Sequence, residues 1–128
     1  ILAGKYALSS VLNGDYYRRV AAVRAKIGRE IEEILQTVDV ILLPTAATVA
    51  FPTVSPGEDP NTLYESDAFT VYANLTGLPA IQIPSGGDGK LPCGVSFLGR
   101  RCAEALLYRV AAYCEQMTEP YRAEWRCV

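Results

Sequence analysis

Apolar positions recur with a helical period over residues 16–34, where Tyr16, Val20, Val23, Ile27, Ile31 and Ile34 follow at spacings of 4, 3, 4, 4 and 3. Arg18, Arg19, Lys26, Arg29, Glu30, Glu32 and Glu33 fill the other faces, which predicts an amphipathic helix with a solvated charged side. Asp15 can cap its start. Lys26/Glu30 and Arg29/Glu33 stand at i,i+4, each pair worth about 0.2–0.5 kcal/mol. The same charged face has a second reading as a surface for a partner. Upstream, residues 1–12 read as a short apolar helix ended by Asn13-Gly14, since glycine enters a left-handed turn without a Cβ penalty.

Beyond the helix the pattern shortens. Val40-Ile41-Leu42-Leu43-Pro44 is a short apolar run stopped by proline, which predicts a strand buried on both faces, as in α/β proteins. Thr45 to Pro60 holds Pro52, Pro56, Pro60 and Gly57 and predicts a long surface loop. Asn61 offers the N-cap of a helix through Tyr64, Ala68, Val71 and Leu75, with Gly77 and Pro79 as its stop. Ala80–Ile83 and Gly94–Leu98 read as strands flanking the turn-rich Pro84-Ser85-Gly86-Gly87-Asp88-Gly89, a hairpin with a long loop. Leu106, Leu107, Val110, Tyr113, Cys114 and Met117 mark a last amphipathic helix. No repeat or linker divides the chain.

Composition narrows the class. With 128 residues, half of them apolar, 20% charged and a net charge of -2, the chain reads as one globular domain. No apolar run approaches the roughly 18 to 20 residues that a bilayer-spanning helix needs. The slightly acidic balance gives no basic face for nucleic acid. A start at Ile1, with patterned text and no targeting segment, is expected of a piece cut from a longer chain.

The count of histidine is zero, which removes Ser-His-Asp and Cys-His relays, HExxH zinc sites and His-based facial triads from these residues. Cys93, Cys102, Cys114 and Cys127 are 9, 12 and 13 positions apart, so no CxxC pair exists. Cys102 and Cys114 fall in or beside the last helical pattern and are expected to be reduced core thiols, with a disulfide as the competing reading. A cytosolic location follows from that expectation.

A serine nucleophile would need Lys5, Lys26, Lys90 or a carboxylate as its base. Lys26 lies on a charged helix face and Lys90 beside Gly89 in a turn, so neither has the apolar surroundings that lower an ammonium pKa. Ser85-Gly86-Gly87 reads as a turn, or secondarily as backbone donors near a ligand. Glu32-Glu33 and Glu58-Asp59 are neighbours that point apart or sit in a Pro/Gly loop, and make no acid/base pair. Asp67 stands apart, among Tyr64, Ala68, Phe69 and Val71. It reads either as a solvated helix position or as a pocket carboxylate that binds an ammonium or amide of a ligand.

The ordered series Tyr6-Ala7-Leu8-Ser9, Tyr16-Tyr17, Val23-Arg24-Ala25-Lys26-Ile27, Asp39-Val40-Ile41-Leu42-Leu43-Pro44-Thr45-Ala46, Tyr64-Glu65-Ser66-Asp67-Ala68-Phe69-Thr70 and Ala73-Asn74-Leu75-Thr76-Gly77-Leu78-Pro79-Ala80 resembles the C-terminal part of amidase-signature enzymes. Leu91-Pro92-Cys93-Gly94-Val95-Ser96-Phe97-Leu98-Gly99 and the helix over 104–115 extend the likeness over nearly the whole chain, and within the family it is similar to the glutaminase subunits of tRNA-dependent amidotransferases. Gly99-Arg100-Arg101-Cys102 departs from the family pattern.

The resemblance implies an α/β fold, a mixed β-sheet covered by α-helices, with residues 1–128 as the C-terminal portion of a single amidase-signature domain. It implies a Lys/Ser/Ser triad that attacks a carboxamide and lies upstream of these residues, leaving this piece without a catalytic residue of its own and as a wall of the pocket. Asp67 matches the family acid that holds the amino group of glutamine, and the family arginine for the substrate carboxylate would fall just before Ile1. The implied partners are glutamine and the B and C subunits of the amidotransferase. The tRNA is met mainly through the partner subunit, which also uses ATP and Mg; no cofactor belongs to this chain. A free-standing amidase of the same superfamily and a non-catalytic docking domain are the alternatives.

Overall fold

Helix α1 covers Asp15–Thr37, as the helical period predicts, and gives way at Val38-Asp39 to strand β1, Val40–Pro44. The computed structural model describes residues 15–50, 67–87 and 91–118. The expected helix over 1–12, the Pro-rich residues 51–60, and the Asn61 cap with Tyr64 lie outside those residues. Helix α2 covers Val71–Thr76, β2 Ala80–Gly87, β3 Pro92–Gly99 and helix α3 Glu104–Thr118.

The three strands form one sheet in the order β1-β3-β2, and both pairings are antiparallel. Residues on β3 alternate between two faces, each covered by helix. Phe97, with Ile83, Leu107 and Ala111, forms the core under α3, flanked by Val40, Ile81, Val95, Val110 and Cys114. Leu98, with Leu35 and Leu78, forms the core on the opposite face, where Ile31 of α1 and Ala73 of α2 join it along with Ile41. The result is a layer of α3, a sheet, and a layer of α1 and α2, the α/β architecture the sequence leads one to expect.

Where the structure departs from the expectations, local chemistry gives the reason. The stripe on α1 is only partly covered: Ile27 and Ile31 are half-buried, but Tyr16, Val20, Val23 and Ile34 are exposed, and the fully buried residue is Leu35, which the Tyr16–Ile34 series does not include. β1 is not buried on both faces, because Leu42 is 58% exposed where α3 packs on β2 and β3 and not over it. The helix expected to run through Ala68 begins only at Val71. Residues 67–70 form a turn instead, in which the Thr70 amide and the Thr70 hydroxyl both donate to the Asp67 carbonyl, at 3.1 and 3.0 Å. A hydroxyl bonding to a nearby carbonyl in this way competes with helical pairing.

The stretch expected to be a turn from Pro84 continues as strand to Gly87. Pro84 pairs with Gly94 and Gly86 with Cys93, so Ser85 is an extra residue in a β-bulge, and Gly86 takes φ 136°, a conformation open to glycine. Cys102 is not a core thiol: it is exposed, with φ 59°, in the turn that leads into α3. Cys114 is half-buried against the α3-side core as expected, and Cys93 is exposed.

Candidate functional site

The carboxyl ends of β1 and β2 and the beginning of β3 lie at one end of the sheet, since Pro44 pairs with Val95 and Pro84 with Gly94. Here the Thr45 amide donates to the Gly94 carbonyl at 3.0 Å, and the Thr45 and Ser96 hydroxyls meet at 3.1 Å. Ser96 is buried, and Thr45, Gly94 and Ser96 share the face of the sheet that α1 and α2 cover. A hollow of about 300 Å³ opens there, lined by Thr45, Gln82, Ile83, Pro84, Pro92, Cys93 and Gly94. Close approach explains the glycine: a Cβ on Gly94 would come within 3.0 Å of Thr45 Oγ1 and 3.2 Å of the Ile83 carbonyl oxygen.

Asp67 opens the turn that leads into α2 and is exposed. Its carbonyl is engaged by Thr70, while its carboxylate takes no hydrogen bond or ion pair among the described residues. An unpaired carboxylate keeps its acceptor sites open to an ammonium or amide donor. The other titratable candidates are already committed or lie elsewhere. Lys26 pairs with Glu30 at 3.7 Å on the surface, and Lys5, Lys90, Glu58 and Asp59 are outside the described residues. Among the described residues Ser96 has the Thr45 hydroxyl as its side-chain partner and no base. Ser85 occupies the bulge of β2. Among the described residues no group of three Cys, Asp or Glu is placed to hold a metal ion, and no helix is long and apolar enough to cross a membrane.

The carboxyl end of α2 is fixed by side chains from two other elements. Gly77 ends the helix in the left-handed conformation at φ 69°, its amide donating to the Ala73 carbonyl at 2.8 Å. The last two carbonyls of the helix accept from arginines: Arg24 Nε of α1 donates to Leu75, and Arg101 Nη2, just after β3, donates to Thr76 at 3.3 Å. Arg101 Nε also donates to Glu32 Oε1 of α1 at 2.8 Å. These groups line a groove of about 490 Å³ between α1 and α2, together with Gly28, Arg29 and Gly77. Sequence reasoning misses this arrangement. In the sequence Arg24 is one residue of a motif and Arg100-Arg101 a departure from a pattern; a helix C-terminus in search of cations is the available signal.

Comparison with known proteins agrees with this geometry. The family model described as Amidase matches residues 1–108. The A subunit of glutamyl-tRNA(Gln) amidotransferase from Halalkalibacterium halodurans is 40% identical over 119 residues, which are 93% of this chain and 24% of that protein. The crystal structure of the corresponding glutamyl-tRNA(Gln) amidotransferase A subunit from Thermotoga maritima superposes with a TM-score of 0.77 at 38% identity, over 95% of this chain and 26% of that one. A 6-aminohexanoate cyclic dimer hydrolase superposes with a TM-score of 0.62 at 26% identity, over 82% of this chain and 24% of that one. This chain therefore spans about a quarter of the length of the relatives it matches. With the family model covering most of its residues and the same α/β layers in the solved relatives, the chain belongs to the amidase family.

Proposed function

We propose that this chain is the C-terminal portion of a single amidase-signature domain, in the glutaminase subunit of a tRNA-dependent amidotransferase. The observation that carries the reading is the 40% identity to the glutamyl-tRNA(Gln) amidotransferase A subunit along 93% of the chain. In this role the chain builds a wall of the glutamine pocket. The Lys/Ser/Ser triad that cleaves the side-chain amide comes from the upstream portion, in keeping with the absence of histidine and with Ser96 facing a hydroxyl. Asp67 holds the substrate ammonium: an exposed carboxylate with no partner among the described residues, on the turn before α2, supplies the charge-assisted acceptor this needs.

The ammonia set free passes to a B subunit, which, with the C subunit, uses ATP and Mg to convert Glu-tRNA(Gln) to Gln-tRNA(Gln) in the cytoplasm. Contact with tRNA falls mainly to that partner. The test is ammonia release from glutamine, measured for the full-length polypeptide and for the 128-residue chain alone. The full-length enzyme should turn over glutamine and the isolated chain should release none. Turnover by the isolated chain would overturn the reading.

The likeness to the 6-aminohexanoate cyclic dimer hydrolase favours a second reading, a free-standing amidase acting on another amide. A full-length enzyme that hydrolyses other carboxamides but not glutamine would establish it.

A further inference from the structure

We infer that Arg101 and Arg24 are positioning residues for Asp67, holding against α1 the short helix that follows its turn; the inference rests on the reading of Asp67 as the ammonium-binding carboxylate. Helix α2 has six residues, about 9 Å of rise, too few to hold a direction on its own. Its amino end continues directly from the turn of Asp67, tied by two hydrogen bonds from Thr70 to the Asp67 carbonyl. Its carboxyl end is held by Arg24 on the Leu75 carbonyl and by Arg101 on the Thr76 carbonyl.

Arg101 makes the stronger link because it spans two elements at once. One edge of its guanidinium reaches Thr76, and Nε reaches Glu32 Oε1 at 2.8 Å, so α2 and α1 are pinned through one planar group. Gly77 is called for by its left-handed φ of 69° and not by Arg101, from whose Nη1 an added Cβ would lie at an ordinary 3.9 Å. The Arg101 and Glu32 side chains are 62% and 41% exposed, so the pair adds little to global stability. What it fixes is direction, and a rotation of α2 about its carboxyl end displaces the turn at its other end. The groove of about 490 Å³ between the helices leaves α2 room to move once the arginines are gone.

The test is steady-state glutamine hydrolysis by the full-length polypeptide, with released ammonia as the readout, for Arg101→Ala, Asp67→Asn and the double variant. Arg101→Ala should raise the glutamine KM about fivefold with kcat unchanged, and should add nothing to the KM of Asp67→Asn. Arg101→Lys, which keeps the charge but loses the planar fork, should fall between. Arg24→Ala carries the same test should Arg101→Ala not fold. An equal KM rise in both backgrounds, or a loss of kcat at constant KM, overturns the inference and leaves the role of Asp67 standing. An unchanged KM in Asp67→Asn removes both.

Discussion

Gly99 and Leu107 meet so closely that a Cβ on Gly99 would lie 3.1 Å from both Cγ and Cδ2 of Leu107. Leu107 is 2% exposed and belongs to the core between α3 and the sheet, so it has no direction in which to yield. Gly99→Ala is therefore expected to destabilise the protein by about 1–3 kcal/mol, the usual cost of overpacking. Gly28, in the interior of α1, has nothing within 4 Å of its added Cβ, and Gly28→Ala should stabilise by about 0.5–1 kcal/mol. Urea midpoints of the two variants check the pair; shifts in the same direction would contradict the packing described.

Two apolar positions on α1 should respond very differently. Leu35 is fully buried against Leu78 and Leu98, and Leu35→Ala should cost about 2–5 kcal/mol. Val23 is 58% exposed, and Val23→Ala should stay within about 0.5 kcal/mol. Comparable losses at both sites, by the same denaturation measurement, would mean that the amino-terminal half of α1 is covered.

Cys102 sits at φ 59°, where an L-residue is strained by roughly 1–2 kcal/mol that glycine does not bear. Cys102→Gly should therefore raise the unfolding free energy by about 1 kcal/mol. Its exposed thiol should also react with a maleimide in the folded protein, ahead of half-buried Cys114. A destabilised glycine variant, or faster labelling at Cys114 by peptide mapping, would contradict this geometry.

Regular patterns in the sequence survived translation into structure best. The period of α1, the strands at Val40, Ala80 and Gly94, the Gly77 stop and the helix of Leu107 all follow from apolar spacing and the special backbone freedom of glycine. What the spacing could not reveal is which faces find a cover. Val20 lies on the apolar series and is exposed, whereas Leu35, outside that series, meets the Leu78–Leu98 cluster. Nor could it show that Thr70 would bond back to Asp67 and shorten α2, or that Ser85 would be absorbed as a bulge. The sequence singles out Asp67 by its apolar neighbours and the family likeness, and the structure places it exposed on the turn before α2. It does not single out Arg101, whose meaning depends on Glu32, 69 positions away.

The proposed contact between Asp67 and the amino group of glutamine is tested directly by a matched substrate pair. In the full-length enzyme, Asp67→Asn should raise the glutamine KM by about ten- to a hundredfold, for a lost charge-assisted contact of roughly 1.5–3 kcal/mol. With 4-carbamoylbutanoate, which is glutamine without its amino group, the same substitution should leave KM unchanged. An equal penalty on both substrates, or none on glutamine, would contradict the assignment.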